Sequence, residues 1–320
     1  MRIDWERILN DSGVILVGID VGCSSGRSHE WERLGSALKY LGIDPLETEI
    51  DRLNSLKEPN SLYLAAFIDF NGADGNADSE ASRVFERTSA AFAARSGFDN
   101  QKEIYNAGRD VTVSNKKVTV SEIKALDGFS TPDLIKIDID GGDFRCLRSF
   151  AEQGLLDDLV SLTIEAQFHG NVGDDGNTLW NIGRLANTKG LSLFDLDVNR
   201  YSRNALPSKY VYDFPAQTHH GQALWGDSLF INEKGGESED NKEILKLIAV
   251  FEIYSFFDCA LELLENHRAS LSSLISVEEM VKSIRNSHEI RESMLGKDFL
   301  EATIRKGLKS TSLGKFLRWR

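Results

Sequence analysis

Short apolar runs alternate with polar or amphipathic stretches along the first 235 residues of the chain. Runs of this length, closed by glycine or an acid, are typical of buried parallel strands. The pattern predicts strands at about 14–20, 38–43, 62–70, 134–139, 160–165, 191–196 and 227–231. Strands that alternate with helices indicate βαβ units, and therefore an α/β fold whose mainly parallel sheet carries helices on both faces.

Helical spacing fills most of the intervals between these runs. Helices are predicted at 4–9, 25–34, 46–53, 80–94, 143–152 and 179–189, with a weak peripheral strand at 117–122. The polar stretch 233–242 is typical of a linker, and the pattern beyond it is helical at 243–266, 277–286 and 297–309. We therefore expect a Rossmann-like domain, residues 1–235, and a helical C-terminal extension, residues 236–320.

The 320-residue chain has a formal net charge of -13, and most of the excess acid lies before residue 236. An acidic domain argues against nucleic acid as a partner and suits a neutral or cationic ligand. Cys23, Cys146 and Cys259 lack the spacing of a disulfide or zinc framework. The N-terminus lacks a signal-like apolar region, and charges interrupt the apolar stretch 244–264. We therefore expect a cytoplasmic protein without stable membrane insertion.

The first strand runs into a glycine-containing loop, VILVGIDVGCSSG, at residues 14–26. Gly22 allows a ligand close to the backbone, and a helix beginning near Ser25 would turn free N–H groups toward it. An acid at the end of this strand would lie at the lip of the ligand crevice. The candidate cofactor-binding residues of this stretch are Asp20, Gly22, Cys23, Ser24 and Gly26, with Cys23 serving as a small filler rather than a nucleophile.

Acids at the ends of the next two predicted strands indicate a nucleoside. Asp44 ends the second strand, where a carboxylate can accept hydrogen bonds from both ribose hydroxyls, and Asp69 is placed to reach an adenine amino group. The loop lacks the G-x-G-x-x-G pattern that a pyrophosphate needs. S-adenosylmethionine therefore fits better than a dinucleotide, the alternative being a similar sheet that binds another nucleotide or none.

The stretch PDLIKIDIDGGDFRCLRSF, residues 132–150, resembles the signature of the FkbM-type family of S-adenosylmethionine-dependent methyltransferases. The loop DVGCSSG, the pair Asp44-Pro45, the strand SLTIEAQ with Glu165, and GDSLFIN are similar to other family motifs, in the family's order. Asp140 and Asp143 stand where the family signature has glutamates, and each is one methylene shorter.

This resemblance implies a seven-stranded class I methyltransferase fold, S-adenosylmethionine as cofactor, and methyl transfer to oxygen, often on a sugar of a glycan or related small molecule. Asp138 and Asp140, at the tip of the predicted fourth strand beside the donor, and Lys136, on the same strand, are candidate catalytic residues, and Asp138 is also a candidate cofactor-binding residue. An aspartate could act as base, or the pair could hold the substrate or a divalent cation; we assign no metal ligand. Asp140 and Asp143 could instead cap the next helix. His169 is a candidate base or a structural loop residue.

Two functions from different classes follow. The first is an S-adenosylmethionine-dependent methyltransferase with a small-molecule or glycan acceptor. The second is a catalytically inactive methyltransferase-like protein that binds a partner through its helical tail, and a nicotinamide-dependent oxidoreductase ranks third. We expect the helical extension to pack on the catalytic domain or on a second subunit, which would form a homo-oligomer.

Overall fold

The computed structural model describes residues 3–69, 112–139, 142–170, 176–201, 221–289 and 291. The strands in these ranges are β1 Leu16–Val21, β2 Leu38–Asp44, β3 Ser61–Ala65, β4 Phe67–Asp69, β5 Lys117–Thr119, β6 Leu134–Ile137, β7 Ser161–Gln167, β8 Ser192–Tyr201 and β9 Gln222–Ile231. The helices predicted at 80–94 and 297–309 lie outside the described residues.

Seven strands form one sheet in the order β3-β2-β1-β6-β7-β9-β8. Strand β9 is antiparallel to both of its neighbours, and the other pairs are parallel. The predicted seven-stranded, mainly parallel sheet is confirmed. Since the chain extends the sheet to one side through β2 and β3 and to the other side through β6 and β7, a crevice is expected at the carboxyl ends of β1 and β6.

Helices cover both faces of this sheet. They are α1 Trp5–Asp11, α2 His29–Glu32, α3 Glu47–Ser55, α4 Val120–Ala125, α5 Asp143–Glu152, α6 Leu179–Thr188, α7 Asn241–Ile253, α8 Phe257–Asn266 and α9 Arg268–Leu271, followed by a helix at 277–289. Helices α4, α5 and α6 pack on one face, and α1, α2, α3, α7 and α8 pack on the other. None of the described helices has the length and apolarity that crossing a membrane requires.

Helix α7 belongs to the same hydrophobic core as the sheet. Nine of its 13 residues are buried, and all of these except Glu252 share a hydrophobic cluster with Leu16, Tyr40 and Leu134. At its start, Lys246 Nζ lies 2.8 Å from Asp133 Oδ1, at the amino end of β6. The first helix of the extension is therefore built into the face of the sheet.

The structure corrects four details of the expected elements. The run 62–70 is divided between β3, at the edge of the large sheet, and β4, which pairs with β5 in a separate two-stranded sheet. The weak strand 117–122 is the short β5 followed by α4. The predicted helix 243–266 is interrupted at Ser255, where φ is +70°. The polar stretch after β9 contains a 3-10 helix, Glu233–Glu237, instead of an irregular linker.

Candidate active site

Gly22 fixes the distance between β1 and the end of β6. Its φ is +92°, which L side chains rarely adopt, and its N–H donates to the carbonyl oxygen of Ile43 at 2.8 Å. A Cβ at this position would overlap the backbone carbonyl of Asp138. A residue without a side chain is therefore required here, and it brings the loop at residues 22–28, called the donor loop below, against the tip of β6.

The donor loop is longer than the sequence indicated, because the next helix begins at His29 and not near Ser25. Gly26 has φ +91° and its N–H donates to the carbonyl oxygen of Cys23 at 2.8 Å, which closes a turn. Ser28 is extended and accepts from the Trp31 amide as the N-cap of α2. The expected helix start with free N–H groups at Ser25 is therefore wrong.

The side chain of Cys23 points into the protein beneath the donor loop. It is 1% exposed and packs close to Gly42. Burial raises the pKa of its thiol, and the nearby carboxylates of Asp20 and Asp44 raise it further. Cys23 is thus a packing residue whose backbone alone belongs to the loop surface, which agrees with its expected role as a filler.

Asp44 ties the end of β2 to the donor loop. Its Oδ1 accepts from the Leu46 amide at 2.8 Å, and its carboxylate also accepts from the Ser24 amide. Burial raises the pKa of Asp44, and these two hydrogen bonds oppose the shift. A carboxylate offers about four acceptor positions. Two protein amides therefore leave capacity for the hydroxyl groups of a ribose.

Asp20 lies below the crevice and not at its lip. Its side chain is fully buried, Oδ2 accepts from the Tyr40 hydroxyl at 3.0 Å, and Oδ1 lies 3.6 Å from Lys136 Nζ. Burial raises the pKa of Asp20 to about 6, although Lys136 and the Tyr40 hydrogen bond oppose the shift. The expected position at the lip is wrong because Asp20 is in register with Lys136 and Gly42, within the sheet.

The raised pKa of Asp20 predicts a pH-dependent contribution to stability. The protonated form is favoured in the folded state, so this contribution is fully present below pH 4 and is lost as the pH rises through about 6. The unfolding free energy of the wild type relative to Asp20→Asn should therefore increase by about 2–3 kcal/mol from pH 7 to pH 4. Denaturant unfolding of both proteins measures this difference, and a constant difference across that range would contradict the prediction.

Lys136 lies between the buried Asp20 and the exposed Asp138. Its Nζ lies 3.4 Å from Asp138 Oδ2 as well as 3.6 Å from Asp20 Oδ1. Burial lowers the pKa of Lys136, but the two carboxylates outweigh burial and raise it above its ordinary value. Lys136 therefore stays protonated and holds Asp138, whose side chain is 45% exposed, at the tip of β6.

Two predicted catalytic residues remain, Asp140 and His169, together with Asp143, which was expected as a signature residue or a helix cap. Asp140 lies outside the described residues. Asp143 is fully buried and accepts from the Ile139 amide and from Asn177 Nδ2, each at 2.8 Å, so it holds the turn before α5 and has a structural role. His169 follows β7, and both of its ring nitrogens are buried with no hydrogen-bond partner in the described part of the chain. Its role as a base stays a prediction.

Asp69 is not at the tip of a strand in the large sheet. The third strand ends at Ala65, and Asp69 pairs with Thr119 in the two-stranded sheet. The Ala66 amide donates to the carbonyl oxygen of Asp44, which ends the pairing with β2. The expected position of Asp69 at the end of the third strand of the large sheet is therefore wrong, and its contact with an adenine stays a prediction.

The face that carries Lys136 also holds polar residues for which no site role was predicted, although Glu165 and the stretch with Asp227 were noted as family motifs. Thr163 is in register with Lys136, and Glu165 is in register with Asp227 on β9. Burial raises the pKa of Asp227, and the charge of Asp138 raises it further. Asp227 could have been found from the sequence, because it is an acid beside the apolar residues of the run GDSLFI. Among the described residues, no group of three or more His, Cys, Asp or Glu is arranged to hold a metal.

The architecture defines a class of proteins. Numbered within the large sheet alone, its strands run 3-2-1-4-5-7-6 with the seventh antiparallel. This is the class I methyltransferase fold, with a glycine turn after the first strand and an acid at the end of the second.

The chain belongs to the FkbM methyltransferase domain family, whose sequence model matches residues 24–184, about half of the chain. The resemblance inferred from the motifs is therefore confirmed, and the cofactor is S-adenosylmethionine. No curated protein matched the chain in a sequence comparison.

Solved structures with a similar fold are distant in sequence. A SAM-dependent methyltransferase from Aquifex aeolicus is 13% identical, with a TM-score of 0.30 over 71% of this chain and 89% of that chain. Precorrin-6y C5,15-methyltransferase from Geobacter metallireducens is 12% identical, with a TM-score of 0.33 over 71% and 86%. Magnesium protoporphyrin IX methyltransferase from Synechocystis is 10% identical, with a TM-score of 0.30 over 71% and 74%. The family assignment rests on the sequence model.

Proposed function

We propose that the protein transfers the methyl group of S-adenosylmethionine to a hydroxyl oxygen, on a sugar of a glycan or on a related small molecule. The observation that carries this proposal is the half-exposed carboxylate of Asp138, which lies beside Lys136 on a residue whose backbone carbonyl packs against Gly22 of the donor loop. A hydroxyl acceptor must lose its proton during transfer, and a carboxylate in this position can accept it.

The donor is proposed to lie across the carboxyl ends of β1 and β2. Asp44 accepts hydrogen bonds from the ribose hydroxyls with the acceptor positions that the Leu46 and Ser24 amides do not use. The methionine end of the donor contacts the backbone of residues 23–25. The amides of Gly22 and Gly26 already donate to carbonyl oxygens within the protein and are not assigned to the ligand.

The bound donor supplies a methyl group on a sulfonium, which an in-line displacement transfers to the acceptor oxygen. The protein aligns the acceptor hydroxyl, and Asp138 takes its proton. Lys136 stays cationic because Asp20 and Asp138 raise its pKa, so it holds the Asp138 carboxylate in place and does not act as the base. Asp20 is buried and acts on the site through Lys136.

Calorimetry with S-adenosylmethionine, S-adenosylhomocysteine and NAD tests this function. We expect micromolar binding of the first two ligands and none of NAD. Asp44→Ala should weaken S-adenosylhomocysteine binding by at least about tenfold, because it removes a charge-assisted hydrogen bond.

Asp127→Ala is the matched control for this experiment. Its carboxylate is exposed and pairs with Lys39 at 3.2 Å, and this variant should bind like the wild type. A wild-type protein that binds neither S-adenosyl ligand would contradict the proposal and favour a protein that acts through partner binding.

A further inference from the structure

Helix α2, which directly follows the donor loop, is too short to be stable without contacts to other elements. It has four residues, far fewer than an isolated helix needs for stability in water. Its place, and with it the end of the donor loop, therefore depends on contacts with the rest of the protein.

These contacts come from the end of α7. The Trp31 indole N–H donates to the Tyr254 hydroxyl at 2.8 Å, and Arg33 Nη2 donates to Glu252 Oε2 at 2.5 Å. Trp31 and Glu252 are almost completely buried. Residues 252 and 254 lie well beyond residues 24–184, which match the family, so these contacts to α2 come from a part of the chain that the family model does not include.

Tyr254 also contacts strand β7. Its hydroxyl lies 3.2 Å from Thr163 Oγ1, and Thr163 is in register with Lys136. The Trp31 ring meets Tyr40 edge-on, with 6.2 Å between the ring centroids. The Tyr254 hydroxyl thus contacts both α2, which follows the donor loop, and β7, which pairs with the strand that carries Lys136.

We propose that Tyr254 is a positioning residue for donor binding. It holds α2, and through α2 the donor loop, at a fixed distance from β7. The helical extension thereby completes the donor site of the α/β domain. This inference rests on the proposed function, because it assigns a role toward the same S-adenosylmethionine site.

Tyr254→Phe keeps the ring and removes only the hydroxyl. The loss of one part-buried hydrogen bond at the support of the loop should weaken S-adenosylhomocysteine binding about five- to tenfold in calorimetry. KM for S-adenosylmethionine should rise by a similar factor, while kcat at saturating donor stays within about twofold, because Asp138 and Lys136 keep their contacts.

Lys246→Met is the matched control. Lys246 lies on α7, the helix whose end carries Tyr254, and the substitution removes its ion pair with Asp133 at the amino end of β6. Both variants should lose stability, but only Tyr254→Phe should lose donor affinity. If wild type and both variants bind S-adenosylhomocysteine equally well, Tyr254 is purely structural and the inference is overturned. A wild-type protein without any donor binding would instead contradict the proposed function.

Hydrogen exchange on the wild-type protein provides a measurement without a variant. If Tyr254 couples the extension to the donor loop, S-adenosylhomocysteine should slow amide exchange at residues 250–256 as well as at 22–33. Slower exchange at 22–33 with none at 250–256 would contradict the coupling.

Discussion

Asp138→Asn is expected to lower kcat for methyl transfer by at least about a hundredfold and to leave S-adenosylhomocysteine affinity within about twofold. The asparagine keeps the shape of the side chain but cannot take a proton from a hydroxyl group. Asp138 is connected to the rest of the protein through Lys136 and through its own amide, which donates to the carbonyl oxygen of Val21 at 2.9 Å. The substitution leaves this backbone hydrogen bond to Val21 unchanged, so the tip of β6 should stay in place.

The measurement is the release of S-adenosylhomocysteine from S-adenosylmethionine with a panel of free sugars, followed by calorimetry on each variant. Asp127→Asn makes the same chemical change at an exposed ion pair with Lys39, and it should keep full turnover. If Asp138→Asn keeps wild-type turnover, Asp138 is structural and the base must be sought elsewhere in the crevice.

Gly22→Ala is expected to lower the free energy of unfolding by about 3 kcal/mol or more and to abolish measurable donor binding. The new Cβ would overlap the carbonyl oxygen of Asp138 and lie 2.8 Å from its carbonyl carbon. Backbone atoms within a sheet cannot move aside as the end of a flexible side chain can. The tips of β1 and β6 would have to separate, which displaces the donor loop and the proposed base together.

Gly13→Ala separates this clash from the cost of the backbone conformation. Gly13 also has a positive φ, +62°, but its nearest neighbour would be the flexible end of Lys242 at 3.6 Å. This control should lose only about 1 kcal/mol and bind donor normally. A Gly22→Ala protein that is no less stable than Gly13→Ala and binds S-adenosylhomocysteine would show that the two strand tips tolerate separation.

Much of the fold could be predicted from the sequence because its signals are local. Buried parallel strands such as β1 and β6 are short apolar runs, and helix α5 was predicted with its observed bounds, Asp143–Glu152. The interruption of the long C-terminal helix could not be predicted, since it depends on a positive φ at Ser255, a serine with no visible preference for that conformation. The division of the run 62–70 depends on which strand each half pairs with, which is a tertiary property.

The candidate site was predictable only in part, for the same reason. Gly22 follows the first apolar run and Asp44 ends the second, so the sequence pattern identifies both. Both lie where the donor is expected. The burial of Asp20 under Tyr40, and the contact of Tyr254 with Trp31, join residues 20 and 223 positions apart. None of these three aromatic residues differs in the sequence from an ordinary core residue, so no local signal identifies them.

The packing of α7 on the sheet has a consequence for biosynthesis. During translation, the strands emerge from the ribosome well before α7, which covers part of one of their faces. The nascent chain must therefore carry an uncovered apolar surface until roughly 250 residues have been made, and a product truncated after β9 would keep that surface permanently exposed to aggregation.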